Sequence, residues 1–160
     1  MAECDALVTS GGVSVGEFDF VRAAFEGLGG RLDFWKVSIR PGKPFVFGRA
    51  GDRFLFGLAG NPVSAWVGFL LLVRPALLRM QGAGEMALPG SAGVLAEPLI
   101  NQGTRRHFMR VAVDSSGRVR PTGMQASHRL SSLADANGLV DVPPGATYPA
   151  GATVSILHWD

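Results

Sequence analysis

A chain of 160 residues, 47% hydrophobic and 18% charged, has room for one ordinary domain or two small ones and is too apolar for bulk disorder. Its formal net charge of +2 suits a small anionic ligand and is too weak to argue for a nucleic-acid partner. The single cysteine, Cys4, excludes an internal disulfide framework and a cysteine-rich zinc site.

No basic stretch followed by an apolar core marks a secretory signal at the N-terminus. The longest apolar stretch, residues 65–73, is shorter than a bilayer span and runs into Arg74 and Pro75. The expectation is a soluble, cytoplasmic chain without a membrane partner.

In chain order, residues 6–9 read as a buried strand that leaves its sheet at Ser10-Gly11-Gly12. Residues 19–28 carry Phe20, Val21, Ala24, Phe25 and Leu28 at helical spacing, with Gly29-Gly30 as the stop. Residues 34–39 alternate like a strand, and Pro41-Gly42-Lys43-Pro44 breaks any regular element. Residues 45–47 and 53–58 read as two strands joined by a turn at Ala50-Gly51-Asp52. Asn61-Pro62, a favoured cap followed by proline in the first turn, opens a helix to about Met80, with Pro75 as the point of a kink. Trp66, Phe69, Leu70, Leu72 and Val73 are its core-facing side chains. Beyond a small-residue boundary over 82–93 the pattern changes to short strands at 108–113, 118–121, 140–142 and 153–157. The fold class expected is α/β over residues 1–84, followed by a small all-β module over 85–160.

Three loops carry candidate chemistry. The first, residues 9–19, lies between a strand and a helix, where open α/β sheets take ligands. Its glycines allow close approach of backbone N–H groups to an anion. Thr9, Ser10 and Ser14 add hydroxyls, and Glu17 and Asp19 supply hard oxygens of the kind Mg²⁺ takes. The plain alternative is a glycine-rich turn with a capping Asp. The second loop, Arg40-Pro41-Gly42-Lys43-Pro44, holds two cations on a rigid turn, with Lys36 either joining them or flanking a strand. The third, Gly60-Asn61-Pro62-Val63-Ser64, repeats the strand–turn–helix layout, and taken alone is an efficient helix cap. His107, His128 and His158 lack metal-ligand spacing, and His107 reads as part of a solvated basic edge.

Together the segments Thr9-Ser10-Gly11-Gly12-Val13-Ser14-Val15-Gly16-Glu17-Phe18-Asp19-Phe20, Phe34-Trp35-Lys36, Pro41-Gly42-Lys43-Pro44 and Gly60-Asn61-Pro62-Val63-Ser64 resemble the molybdopterin molybdenumtransferase family. Its members include bacterial MoeA proteins, their plant E-domain counterpart and the gephyrin E domain. The resemblance continues through Arg105-Arg106-His107-Phe108-Met109-Arg110, residues 123–129 and Ala136-Asn137-Gly138-Leu139. It covers nearly the whole chain, read as the C-terminal part of a longer protein. Three positions depart from the family pattern. Ala59 stands where Pro is usual and Arg40 where Lys is common, while Arg106-His107-Phe108-Met109 replaces Pro-Glu-Phe-His.

The resemblance implies part of a three-layer molybdopterin-binding α/β domain and a C-terminal β-barrel-like domain. It implies insertion of molybdate into adenylylated molybdopterin with release of AMP. The cofactor-binding residues it implies are Ser10, Gly11, Gly12, Val13, Ser14, Gly16, Glu17, Gly60 and Asn61. Asp19 would hold Mg²⁺ that polarises the phosphoanhydride, and Asp19, Lys43 and Ser64 are the implied catalytic residues. Arg40, Lys43, Pro44, Ser64, Arg105 and Ser127 would surround molybdate. A homodimer is implied for the full-length protein, with no nucleic acid. A non-catalytic scaffold and a molybdopterin-adenylylating relative are the alternatives. An incomplete sheet would leave residues 6–9 with an unpaired edge and exposed apolar faces.

Overall fold

The structure is a computed structural model that describes residues 4–13, 20–125 and 131–159. Its first half is a sheet between helices. Strands β1 (Ala6–Ser10), β2 (Arg31–Trp35), β4 (Phe45–Ala50) and β5 (Arg53–Leu58) form a four-stranded sheet in the order β1-β5-β4-β2. β1 runs parallel to β5, and β4 joins β5 through the expected tight turn. Helix α1 (Phe20–Gly27) covers one face through Phe25, which packs with Val13, Val46 and Leu55. Phe45, Phe56 and Leu58 meet the opposite layer at Val73. This is the three-layer arrangement expected.

Several details differ from the sequence reading. β1 is not buried: Leu7 is 38% and Val8 39% exposed. Among the described residues it pairs only with β5, so it is an edge strand with apolar side chains on both faces, as the incomplete-sheet argument anticipates. Phe20 and Leu28, placed on the helix's apolar stripe, are also exposed. The single strand expected over 34–39 is two. β2 ends at Trp35, Lys36 turns into the left-handed region at φ 87°, and β3 (Ile39–Arg40) begins after it. Hydrogen bonds from Lys36 N–H to Phe45 O and from Val37 N–H to Lys43 O shape this corner.

The long helix runs as α2 (Pro62–Gly68), a π-helical segment (Phe69–Val73) and α3 (Arg74–Met80). Pro75 has no N–H and crowds the preceding turn, and the wider turn before it, closed by Arg74 N–H on Phe69 O, accommodates that loss. The rod of 19 residues contains an 18-residue window of mean hydropathy 1.5 and is long and apolar enough to cross a membrane, which corrects the shorter stretch read from the sequence. Its apolar character has a second physical source. Val73 serves the sheet, while Val67 and Leu70 pack with Leu139, Phe108 and Leu157 of the second half. A helix that fills two cores is apolar over much of its circumference. Trp66, expected in the core, is 37% exposed and stacks on Phe69 at 6.2 Å.

The second half closes on itself. Strands β6 (Gly90–Leu95), β8 (Arg106–Val113), β9 (Arg118–Pro121), β10 (Gly138–Val142) and β12 (Thr153–His158) pair in the cycle β8-β10-β12-β6-β9-β8, a five-stranded barrel. Val111, Val119, Val142 and Ile156 fill it at 0% exposure. β7 (Leu99–Ile100) and β11 (Thr147–Tyr148) form a small separate ladder, and α3 is followed much later by one short helix, α4 (Ser131–Ala134). The module is therefore not purely β. It also receives a strand from the first half: β3 pairs in parallel with β8, Ile39 opposite Arg106 and Arg40 opposite His107.

Candidate functional site

The first and third loops touch through glycines. Gly11, at φ 90°, donates its N–H to Leu58 O at 2.9 Å. A Cβ on Gly60 would lie 3.4 Å from the Gly11 Cα, so the two strand-to-helix turns meet backbone to backbone. Val13 is buried, and its carbonyl accepts the Trp35 indole N–H at 3.1 Å. Two cations flank that indole: the Lys36 Nζ at 4.7 Å and the Arg22 Cζ at 5.1 Å from the ring centre. Lys36 thus lies over the tryptophan that braces the first loop. The Thr9 hydroxyl is buried there without a partner among the described residues. Ser10 is exposed at the strand's end. Ser14, Gly16, Glu17 and Asp19 lie outside the described residues.

The second loop meets the third at Gly42. With φ 104°, its added Cβ would sit 3.3 Å from Ser64 O and 3.3 Å from Ile39 Cδ1. Pro41 and Gly42 are buried while Arg40 and Lys43 are exposed, so the turn is anchored by its middle and presents its cations outward. Pro44 is half-buried beside Lys43. Asn61 caps α2 as expected, its Oδ1 accepting Ser64 N–H at 3.2 Å, and Ser64 is 7% exposed. The three loops singled out in the sequence therefore converge.

The barrel contributes the fourth side. Arg105 donates from Nη1 to Ile39 O at 3.0 Å, and its own carbonyl accepts from Asn101 Nδ2 at 2.8 Å. Arg110 is 0% exposed, donating to Ser132 Oγ at 2.9 Å and to Met124 O at 3.3 Å. The Gln125 side chain makes paired hydrogen bonds to the Arg110 backbone, both 2.9 Å. These contacts fix the chain just before residue 127. Ser127 itself, like His128, lies outside the described residues.

His107 overturns its sequence reading. It is 2% exposed, and its Nε2 has no hydrogen-bond partner among the described residues. Burial, followed by the charges of Arg40, Arg110 and Arg105, pushes its pKa down from 6.5 to about 4. Burial, and then Arg40, likewise lowers Arg110. Three guanidinium groups thus act on one buried neutral ring. The signal was present in the sequence: Met109 and Val111 alternate inward, and carrying that alternation back two residues puts His107 on the core face. Arg110 was legible only as part of a basic stretch.

Among the described residues no group of three or more His, Cys, Asp or Glu side chains could hold a metal ion. The carboxylates expected to meet Mg²⁺, Glu17 and Asp19, lie outside them. A cleft of about 410 Å³ opens elsewhere, on the barrel wall between β10 and β12, lined in part by Arg106, Asp141, Tyr148 and Ser155. It contains none of the residues assigned a binding or catalytic role from the sequence.

An α/β sheet whose helix-start loops meet a cationic turn, closed by a barrel that adds a buried arginine, defines a two-module class with a cationic seam. Known proteins give it a family. A family description, "MoeA C-terminal region (domain IV)", matches residues 92–159, and another, "Probable molybdopterin binding domain", matches residues 1–79. Over 97% of its length the chain is 35% identical to the molybdopterin molybdenumtransferase of Haemophilus influenzae, of which it covers 40%. It is 37% identical to the Bacillus subtilis enzyme of that name, over 98% of this chain and 37% of the other. A solved MoeA protein from Pyrococcus horikosii superposes with TM-score 0.81 at 28% identity, covering 99% of this chain and 38% of that one. The chain belongs to the molybdopterin molybdenumtransferase family and corresponds to its C-terminal part. It spans about two fifths of the length of these curated relatives.

Proposed function

We propose that this chain is the C-terminal portion of a molybdenum cofactor biosynthesis enzyme that inserts molybdate into adenylylated molybdopterin and releases AMP. The observation that carries this reading is the convergence of two glycine turns with the cationic turn of Arg40 and Lys43, to which Arg105 of the barrel is tied through Ile39 O. The printed name of the curated relatives supplies the reaction. In this reading Ser10, Gly11, Gly12, Val13, Gly60 and Asn61 receive the pterin phosphates, with Ser14, Gly16 and Glu17 continuing the same loop. Arg40 and Lys43 offset the charge of two anions brought together, Pro44 shapes their turn, and Ser64 and Ser127 orient oxygens. Arg105 completes the molybdate site from the barrel. Asp19 would hold Mg²⁺, which when bound would add charge neutralisation on the phosphates. A cytoplasmic location and a homodimer of the full-length protein belong to the same reading.

The test is incubation of the purified chain with adenylylated molybdopterin, molybdate and Mg²⁺, measuring AMP release and bound molybdenum. AMP release that falls at least tenfold in Lys43→Ala supports the enzyme. The second reading is a molybdopterin-binding scaffold in which the same loops hold the pterin without turnover. Pterin binding without AMP release selects it.

A further inference from the structure

The anion-binding reading leaves one group at the site unused. His107 sits on β8 opposite Arg40 of β3, and its Nε2 is buried with no acceptor or donor among the described residues. A buried polar atom left unpaired forfeits its solvation, so such atoms call for an explanation. The charges that act on it come from three places: Arg40 on β3, Arg105 in the turn before β8, and Arg110 on β8 itself. On its other flank β10 opposes it with Val142, which is apolar. The carboxylate of that strand, Asp141, is engaged by Arg106, with Nε bonds of 3.0 and 3.1 Å. Among the described residues, the charges acting on His107 are all cationic.

We propose that an oxyanion held by Arg40 and Arg105 and a proton on His107 enter together, so that the occupied site contains an imidazolium and the empty site a neutral ring. The proposal rests on the reading of Arg40 and Arg105 as oxyanion ligands. Its physics is Coulombic and needs no contact with Nε2. In the empty site the three guanidinium groups oppose protonation, reinforcing burial. A dianion beside two of them offsets their charge and leaves Arg110 as the remaining cation, so most of the electrostatic opposition to protonation is removed. Linkage is reciprocal: whatever factor the anion contributes to proton affinity, the proton contributes to anion affinity. Anion binding therefore strengthens as pH falls, by at most about tenfold per pH unit for one proton. His107 is then a residue that tunes affinity for the oxyanion, and it does so through its charge.

The experiment uses sulfate on the full chain, because sulfate stays a dianion from pH 5 to 8 and any proton taken up goes to the protein. Titration calorimetry at pH 5.5 in two buffers of different ionisation heat counts the protons. Proton NMR follows the His107 ring signal, assigned by its loss in His107→Gln. The expected results are uptake of about 0.2 proton per sulfate at pH 5.5 and a His107 midpoint raised by about one pH unit at saturating sulfate. Arg105→Ala removes both, and His107→Gln flattens the pH dependence of affinity. Sulfate that binds in an Arg105-dependent way with no proton uptake and an unmoved midpoint overturns the proposal and leaves the oxyanion site standing. Sulfate that does not bind at any pH removes the oxyanion site itself, and the proposal with it. Because uptake and midpoint are read on the unsubstituted chain, a variant that fails to fold does not decide the outcome.

Discussion

The barrel and the sheet solve one problem in opposite ways. Each strand of the barrel finds two neighbours in the cycle, and its interior side chains reach zero exposure. The four-stranded sheet ends at β1, whose outer edge has no partner among the described residues and whose Leu7 and Val8 face solvent. Closure satisfies backbone groups without help from another chain, whereas an open edge leaves them available. The candidate loops and Arg105 lie between the two halves. The long helix, apolar toward both halves, and the short β3 ladder are what tie the two together.

The sharpest way to break that contrast is to weaken the barrel. Ile156→Ala removes a side chain at 0% exposure and should cost about 4 kcal/mol in urea denaturation. A cost below about 1 kcal/mol would mean that the closed half is not the stable one. Next in size is the pH response. A histidine in the unfolded chain titrates near 6.5, whereas His107 in the folded chain stays neutral to about 4. Between those values the unfolded chain binds a proton that the folded chain does not, so stability falls as pH drops from about 6.5 towards 4. The loss is on the order of 3 kcal/mol when complete. Anion-free denaturation at pH 7.5 and pH 4.5 measures it, and His107→Gln should lack that share of the loss.

At the seam, Gly42→Ala places a Cβ 3.3 Å from Ser64 O at φ 104°, and should cost about 1–3 kcal/mol. Weaker sulfate binding should accompany it, because the same turn carries Arg40 and Lys43. Asn61→Ala removes the cap that accepts Ser64 N–H and should cost about 1 kcal/mol, readable in thermal melting. The smallest effect belongs to the open edge. Leu7→Lys should change stability by less than about 0.5 kcal/mol while lowering self-association in light scattering, since a charge on an edge strand discourages pairing. If association is unchanged, the β1 edge is not the sticky part of the sheet.

Elements with strong local signals were legible. The Asn61 cap and the Gly51-Asp52 turn depend on neighbours in sequence, and both stand where the residues put them. The three loops were legible for the same reason, because glycine, proline and a cap residue specify a turn locally. Errors fell where burial depends on distant partners. The alternation of residues 34–39 looked continuous, yet Lys36 takes a left-handed turn so that β2 can stay in the sheet while β3 crosses to the barrel. The run at residues 6–9 looked buried because apolar strands usually are, yet among the described residues β1 pairs with β5 alone and Leu7 and Val8 are exposed.

What the sequence determined by itself is the set of turns, the helix start, the paired strands at 108–113 and 118–121 and the family resemblance, all written in short-range chemistry. What only the tertiary structure decided is which cations share a field. Arg40 and His107 are 67 positions apart and become cross-strand partners through a two-residue ladder. That pairing turns a histidine read as a solvated edge into a buried neutral ring among three arginines. Electrostatic neighbourhood depends on distance in space, and distance in space is what a linear pattern does not contain.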